Sequence, residues 1–472
     1  MKGVCKNTEN RSQGGAEFTE NFIKSKMCFC APAANFLLAT RLHIYMKLKD
    51  YLKGNSMQVI NRIKFSMVHF FELIRITKVT AGMAARLLFF FVVSSGIIIL
   101  QGCREKKNQS EIKNRFQKEI ELIVKEYRFP GMTAAYVLHD GTVDAFAAGF
   151  SDIEQKTSMN INSRMLAASI GKTFTGAVIL DLVREGKLNL DVPVKQYIGS
   201  ENWFNRLANN NEITLRHLLT HSSGIENHLE SPRFIKAIRE SKKREMPHLK
   251  PIELITYILD AAAIFKPGSG FHYSDTGYII AGIIVEKVTE NNLFDEIRSR
   301  ILAPLNLNMT EPSDKKNLTD LASGYLSVDN IFQLPAKTTI QPGLMSWNPG
   351  IEWAGGGFIS TSEDLALWGK ILYEGRALSG KYLKELFQGV LAAPGTKYGI
   401  GTTIKEDKKG NITYGHKGWI PGYCSSLLYY TRHKAAVAFQ INTDIGIIGS
   451  DKDVISMIEK RLANVLFEVS TD

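Results

Sequence analysis

Three short clusters carry side chains able to do chemistry. Ser169-Ile170-Gly171-Lys172 sets a hydroxyl and an amine three positions apart. On a helix that spacing puts both on one face. A helix start adds positive potential where an alkoxide and then an oxyanion form. A lysine desolvated against apolar neighbours has its pKa lowered and can take the serine proton. Spacing alone is a weak sign, because Ser110/Lys113 and Ser313/Lys316 match it too. The ordinary alternative is an N-cap serine beside a surface lysine. Tyr273-Ser274-Asp275 follows the turn-rich stretch Lys266–Gly270 and precedes the apolar run Ile279–Val288. A tyrosine there, near a lysine, works as a phenolate base or proton relay. Its ordinary alternative is a loop tyrosine making one hydrogen bond. His416-Lys417-Gly418 ends a strand-like run just before Trp419. Gly418 would admit a substrate close to the strand edge, or the segment is merely a strand end.

Other chemistries fail on position. Gly171-Lys172-Thr173 looks like the tail of a P-loop, but Leu166 stands where its first glycine belongs. His217 and His221 are four apart, yet Leu218 follows His217 and no third ligand is evident, so no metal is expected. His221 more simply holds a loop. Cys424 sits in an apolar run and reads as a small core residue. Trp347 and Trp353 line a pocket or simply pack; Trp419 is the better pocket candidate because it adjoins a motif.

The elements around these clusters follow from periodicity. Residues 114–127 read as an amphipathic helix. Met132–His139 and Thr142–Phe150 read as strands joined by Asp140-Gly141, a hairpin signal in which both turn residues take positive φ. Ser169–Glu185 reads as a helix apolar on nearly all sides, hence buried, with Gly186 as its C-cap. Residues 190–390 are mostly helical in pattern. Tyr398–Lys405, Asn411–His416, Tyr423–Thr431 and Ala435–Asn442 read as strands, and 451–468 as a closing helix. The expected fold is α+β: one antiparallel sheet built from both chain ends, with a mostly helical block inserted.

The 472 residues carry a net charge of +11, but its distribution is lopsided. The first 103 residues hold 14 of the 58 basic residues and 5 of the 47 acidic ones, so the rest is nearly neutral. Nucleic acid is not an expected partner. Four of the five cysteines also lie in those 103 residues, so the main body has no disulfide pair. Leu87–Leu100 is an apolar run of 14 residues behind Arg86. That is short for a bilayer span and suits a secretory signal. Leu100-Gln101-Gly102-Cys103 resembles the lipobox of bacterial lipoproteins, which implies lipidation at Cys103 and a tether over 104–112. An uncut signal anchor is the alternative. Either way residues 104–472 face outward from the cytoplasm, in the cell envelope. Residues 1–82 then read as an extension upstream of the true translation start.

The three clusters in this order resemble the serine β-lactamase and penicillin-binding superfamily, in its class C-like branch. That branch includes D-aminopeptidases, D,D-carboxypeptidases and esterases. Leu218–Ile225 (LLTHSSGI), Ala354–Leu365 (AGGGFISTSEDL) and Lys187–Val192 (KLNLDV) resemble further segments of it. The resemblance covers residues 113–468. It implies that Ser169 is the acylated nucleophile, that Lys172 activates it, and that Tyr273 is base or shuttle. Asp275 takes the place of an amide side chain that holds the substrate amide and the lysine. His416 takes the place of a lysine that helps bind a substrate carboxylate. The backbone N–H groups of Ser169 and Trp419 would form the oxyanion hole. Those two replacements favour an esterase or peptidase over a true β-lactamase. The expectation is a serine hydrolase without cofactor, acting through an acyl-enzyme on an ester or peptide bond. A non-catalytic muropeptide-binding protein is the alternative of a different class.

Overall fold

The computed structural model describes residues 109–241 and 249–467. Cys103 and the signal segment 83–103 lie outside them, as do residues 1–82. The chain enters on helix α1, residues 109–127. Residues 109–112, read above as the end of a tether, belong to α1, and Gln109 reaches the Thr142 hydroxyl at 3.5 Å.

Nine strands among the described residues form one antiparallel sheet. In chain order they are β1 (Gly131–Val137), β2 (Val143–Asp152), β3 (Thr157–Ser158), β4 (Val390–Ala393), β5 (Thr396–Tyr398), β6 (Thr403–Glu406), β7 (Ile412–Ile420), β8 (Tyr423–Tyr430) and β9 (Ala435–Ile441). Their spatial order is β3-β2-β1-β9-β8-β7-β6-β5-β4. The two chain ends meet where β1 pairs with β9, Met132 opposite Ile441 and Val137 opposite Ala436. The α+β expectation holds, and the sheet is shared by both ends as the alternation implied.

One face of the sheet is covered by α1 and the closing helix α5 (Val454–Phe467). Phe116, Ile120, Tyr136, Phe439, Ile458 and Leu462 fill the space between. The other face carries α2 (Gly171–Arg184) and α4 (Ser362–Tyr373), with α3 (Asp275–Thr289) in the inserted block. Helix α2 buries every residue from Gly171 to Leu180. Phe174 stacks on Trp368 of α4 at 4.6 Å, and the Trp368 indole N–H donates to Thr173 Oγ1 at 2.7 Å. This packing fixes the depth and rotation of α2, and so of the residues at its start.

Three local expectations are corrected. The hairpin between β1 and β2 is present, but only Gly141 has positive φ (87°). Its Leu138–Gly141 turn closes with Gly141 N–H on the Leu138 carbonyl at 3.1 Å, a tight turn followed by one left-handed residue. The inserted block is helical to about residue 302 and again from 362. Residues 303–361 are loops, two- or three-residue strands and two single 3-10 turns, because Pro304, Pro312, Pro335, Pro342 and Pro349 interrupt any longer helix. The run Tyr398–Lys405 is two strands, β5 and β6, separated by a glycine-bearing turn at 399–402.

Candidate active site

Ser169 is the middle residue of a single 3-10 turn, Ala168–Ile170, that runs straight into α2. It is not a helix cap: the residue before α2 is Ile170, and no side chain caps there. Ala168 takes φ +50°, a costly conformation for a residue with a Cβ. The turn is held by its surroundings: Ala167 donates its N–H to the Phe358 carbonyl at 2.8 Å, and its own carbonyl accepts the Ser425 hydroxyl at 2.8 Å.

Lys172, one turn along, is fully buried. Its ammonium donates to Ser169 Oγ at 3.0 Å, to Gly355 O at 2.5 Å and to Asp275 Oδ1. Three acceptors match the three donors of –NH₃⁺. The sequence expectation of a lowered lysine pKa is overturned here. Burial pushes the amine down, but the Asp275 charge and the Tyr273 hydroxyl outweigh it, and the group stands above its ordinary value. Lys172 is an ammonium, so it donates to Ser169 rather than taking its proton.

Tyr273 stands on the loop before α3, with Lys172 Nζ 5.0 Å from its ring centre. Burial raises its pKa and the Lys172 charge pulls back, leaving it pushed up to about 12. His221 fixes this loop. Its Nδ1 accepts from the Ser274 N–H at 3.1 Å, its carbonyl accepts from the His272 N–H at 2.9 Å, and its ring lies 4.1 Å from that of Tyr273. Asp275 opens α3, with its carboxylate turned to Lys172. The structure places Asp275 on Lys172, one of the two contacts the resemblance implied for this position, and as a carboxylate it is the lysine's counter-ion.

The opposite wall is β7. His416 is not at a strand end: β7 runs four residues further, to the Pro421-Gly422 turn. Its Nε2 pairs with the Tyr398 hydroxyl at 2.7 Å and its Nδ1 with the Lys417 carbonyl at 2.5 Å. The carbonyl can only accept, so Nδ1 carries the proton and Nε2 accepts from Tyr398. Burial, then the Lys172 charge, lowers the imidazole to about 3. A neutral ring with both nitrogens engaged brings no positive charge to a substrate carboxylate, unlike the lysine whose place it takes. Gly418 is corrected too. A Cβ there would lie 2.2 Å from Ser425 Oγ and 2.4 Å from the Ala167 carbonyl. The glycine lets the Ser169 turn pack on the strand, not the substrate.

β6 pairs with β7 only as far as Gly415. Beyond it the edge of β7 is open. The two-residue turn closes on Ile420 opposite Tyr423, and antiparallel alternation then directs the backbone groups of Trp419 away from β8, to that edge. The Trp419 ring is 37% exposed and its indole N–H donates to Asp444 Oδ2 at 3.1 Å. A cavity of about 940 Å³ joins Ser169, Tyr273, Asp275, His416, Gly418 and Trp419. Its remaining wall is mainly apolar, with Phe234, Phe271, Phe332 and Trp347. Trp353 packs against Gly282 instead. No three acidic, histidine or cysteine side chains cluster to hold a metal among the described residues. His217 turns to the N–H of Thr214 and not toward His221. Tyr398, Asp444, Glu352 and the Gly355 carbonyl are site residues that sequence reasoning missed. Only Gly355 and Glu352 had a signal, their place in or beside the Ala354–Leu365 segment.

A hydroxyl on a strained turn, backed by a buried ammonium and a tyrosine, on a sheet built from both chain ends, defines a serine hydrolase of the β-lactamase-like fold. Comparison with known proteins agrees: the Beta-lactamase family model matches residues 116–452, and the chain belongs to that family. Penicillin-binding protein 4* of Bacillus subtilis (strain 168) is 24% identical over 335 residues, 68% of either chain. The D-aminopeptidase of Brucella anthropi is 27% identical over 316 residues, which are 64% of this chain and 54% of that protein. This chain therefore spans about half the length of that relative. Among solved structures, a D-stereospecific amidohydrolase from Streptomyces sp. superposes with a TM-score of 0.63 at 25% identity, covering 75% of this chain and 98% of that one. The D-amino acid amidase from Ochrobactrum anthropi SV3, complexed with L-phenylalanine amide, shares the fold with a TM-score of 0.64 at 21% identity, over 76% and 99%.

Proposed function

We propose that this enzyme cleaves a small ester or the amide of a D-amino acid or short peptide by acyl transfer from Ser169. The observation that carries this reading is the donation from Lys172 Nζ to Ser169 Oγ at 3.0 Å. Because Lys172 is held charged by Asp275, Ser169 Oγ accepts from it and is free to give its proton to the Tyr273 oxygen. The adjacent ammonium favours the phenolate that Tyr273 must be to take that proton. The oxygen then attacks the carbonyl, and the N–H groups of Ser169 and Trp419 receive the oxyanion. Tyr273 returns the proton to the leaving group, and water repeats the sequence on the acyl-enzyme. The names of the D-aminopeptidase and the amidohydrolase support the amide of a D-residue as substrate.

Ser169→Ala tests the reading. Turnover of a p-nitrophenyl ester and of D-amino-acid p-nitroanilides should fall by about 10³-fold or more. Intact mass should show an acyl adduct on the native enzyme alone. A stable penicillin adduct would point to a D,D-peptidase, and rapid penicillin turnover to a β-lactamase. No turnover and no adduct would leave a binding protein. We also propose that lipid on Cys103 anchors the enzyme in the cell envelope, as the Leu-Gln-Gly-Cys junction supports. Cys103→Ser should then release activity from the membrane fraction on fractionation, and activity that stays with the membrane would overturn the lipid anchor.

A further inference from the structure

We infer that Glu352 selects the substrate: its carboxylate receives an ammonium carried next to the scissile carbonyl. This assignment rests on the acyl-enzyme reading above and names the substrate class for it. Glu352 lines the cavity together with Ser169, Tyr273 and Asp275. It lies between the short turn Pro349–Ile351 and the Trp353–Gly355 turn whose last carbonyl takes Lys172. Gly356 marks how close it comes to the nucleophile. A Cβ at Gly356 would lie 2.7 Å from the Ala168 carbonyl and 3.1 Å from Glu352 Oε2. Glu352 Oε2 and the Ala168 carbonyl thus flank one point within about 3 Å of each, and the carboxylate faces the cavity that Ser169 lines.

Among the described residues nothing hydrogen-bonds or ion-pairs with this carboxylate, whereas its acidic neighbours are paired. Asp275 has Lys172. Asp444 has the Trp419 indole and the Gly422 N–H. This half-buried carboxylate opens on the cavity, free to take a donor that a ligand brings. Burial and the Asp275 charge push Glu352 up to about 8, with Lys172 pulling the other way. Without a cationic ligand the site thus stores a proton there, and an arriving ammonium displaces it.

The cations nearby leave the place open. Lys172 has spent its donors on Ser169, Gly355 and Asp275. Lys417 turns to Asp453 and Ser456. Lys405 and Lys452 also line the cavity, and neither is bonded to Glu352. His416 is neutral. A carboxylate on the substrate meets the Asp275 and Glu352 carboxylates at the Ser169 end of the cavity, while an ammonium meets a waiting partner there. Phe234, Phe332 and Trp347 then provide an apolar wall for the side chain of the same residue. The class that fits is an amide or ester of an apolar amino acid with its α-amino group free.

The test compares phenylalanine p-nitroanilide, as each enantiomer, with its N-acetyl form, using the full chain and p-nitrophenyl acetate as an ester without an ammonium. The native enzyme should prefer the free amine by at least about tenfold in kcat/KM. In Glu352→Gln that ratio should collapse to within about threefold of unity, and Glu352→Asp should restore part of it. A ratio reports the charge contact even where a variant lowers every rate, which a merely structural role would do equally for both substrates. A native ratio near unity, or a preference that survives in Glu352→Gln, overturns the assignment while Ser169-dependent ester turnover keeps the hydrolase reading standing. Absence of any Ser169-dependent turnover, ester included, overturns that reading and this assignment with it.

Discussion

Two walls meet at Ser169, and they are built from opposite materials. The helical wall is charged: a fully buried lysine, the Asp275 carboxylate against it, and Tyr273 between. The strand wall is neutral: His416 saturated by Tyr398 and a carbonyl, an open backbone edge and the Trp419 ring. Charge is spent where a proton must move. Neutral backbone is kept where an oxyanion and a substrate chain must be held without a counter-ion. A buried ion pair seldom adds stability over an apolar pair of the same shape. The Lys172–Asp275 pair is better understood as the device that keeps an ammonium beside the nucleophile.

The sharpest way to break the contrast is Asp275→Asn, which removes the counter-charge and keeps the shape. Lys172 is then buried with no carboxylate, and burial alone lowers its pKa. Removing one partner of a buried pair costs about 3–5 kcal/mol. The expected outcome is a large fall in melting temperature with ester turnover reduced about a hundredfold or more. The sign on the lysine side is fixed. Its folded pKa lies above the ordinary lysine value, so the stabilisation is complete at neutral pH and is lost only as strong alkali strips the amine. Calorimetry and rates with an unchanged melting temperature would show that the carboxylate is not what sustains the ammonium.

The strand wall is broken more gently by Gly418→Ala. The new methyl meets Ser425 Oγ and the Ala167 carbonyl at less than contact distance. The nucleophile turn must move off β7 by a fraction of an ångström, at a cost of about 1–3 kcal/mol. Turnover should fall more than stability does, because oxyanion geometry is the more sensitive quantity. Equal stability and equal kcat would show that Gly418 is not what seats the turn.

These contrasts were unequally legible in the sequence. Ser169 and Lys172 are local: a spacing of three on a helix that is apolar all round gives both the contact and the burial. Asp275 was visible through the resemblance as standing where the lysine is held, but its effect as a counter-charge was not, because 103 positions separate it from Lys172 and only the fold shows the contact. The expected lysine pKa had the wrong sign for that reason alone. His416 was placed, but the burial that keeps it neutral and the Tyr398 hydroxyl that holds its Nε2 come from other elements. The shared sheet could be read from alternation at both chain ends. The split of β5 from β6 and the loop-rich 303–361 could not, since apolar pattern persists through turns that proline and glycine impose.

The smallest effect sharpens the comparison through acid stability. His416 is lowered to about 3, His228 to about 4, and His221 well below its ordinary value, each chiefly by burial. Unfolding frees them to bind protons at the ordinary histidine value near 6.5. Between that pH and the folded values the unfolded chain holds more protons, so stability falls as pH falls. Each ring contributes at most about 1.4 kcal/mol per pH unit in that window. His416→Asn should lower stability at pH 7 by the loss of the Tyr398 contact, yet flatten the decline between about pH 6 and pH 5 by one ring's share. Urea midpoints across that range measure it. A decline as steep as in the native enzyme would mean that His416 is protonated in the folded protein, and the strand wall would then be a charged one.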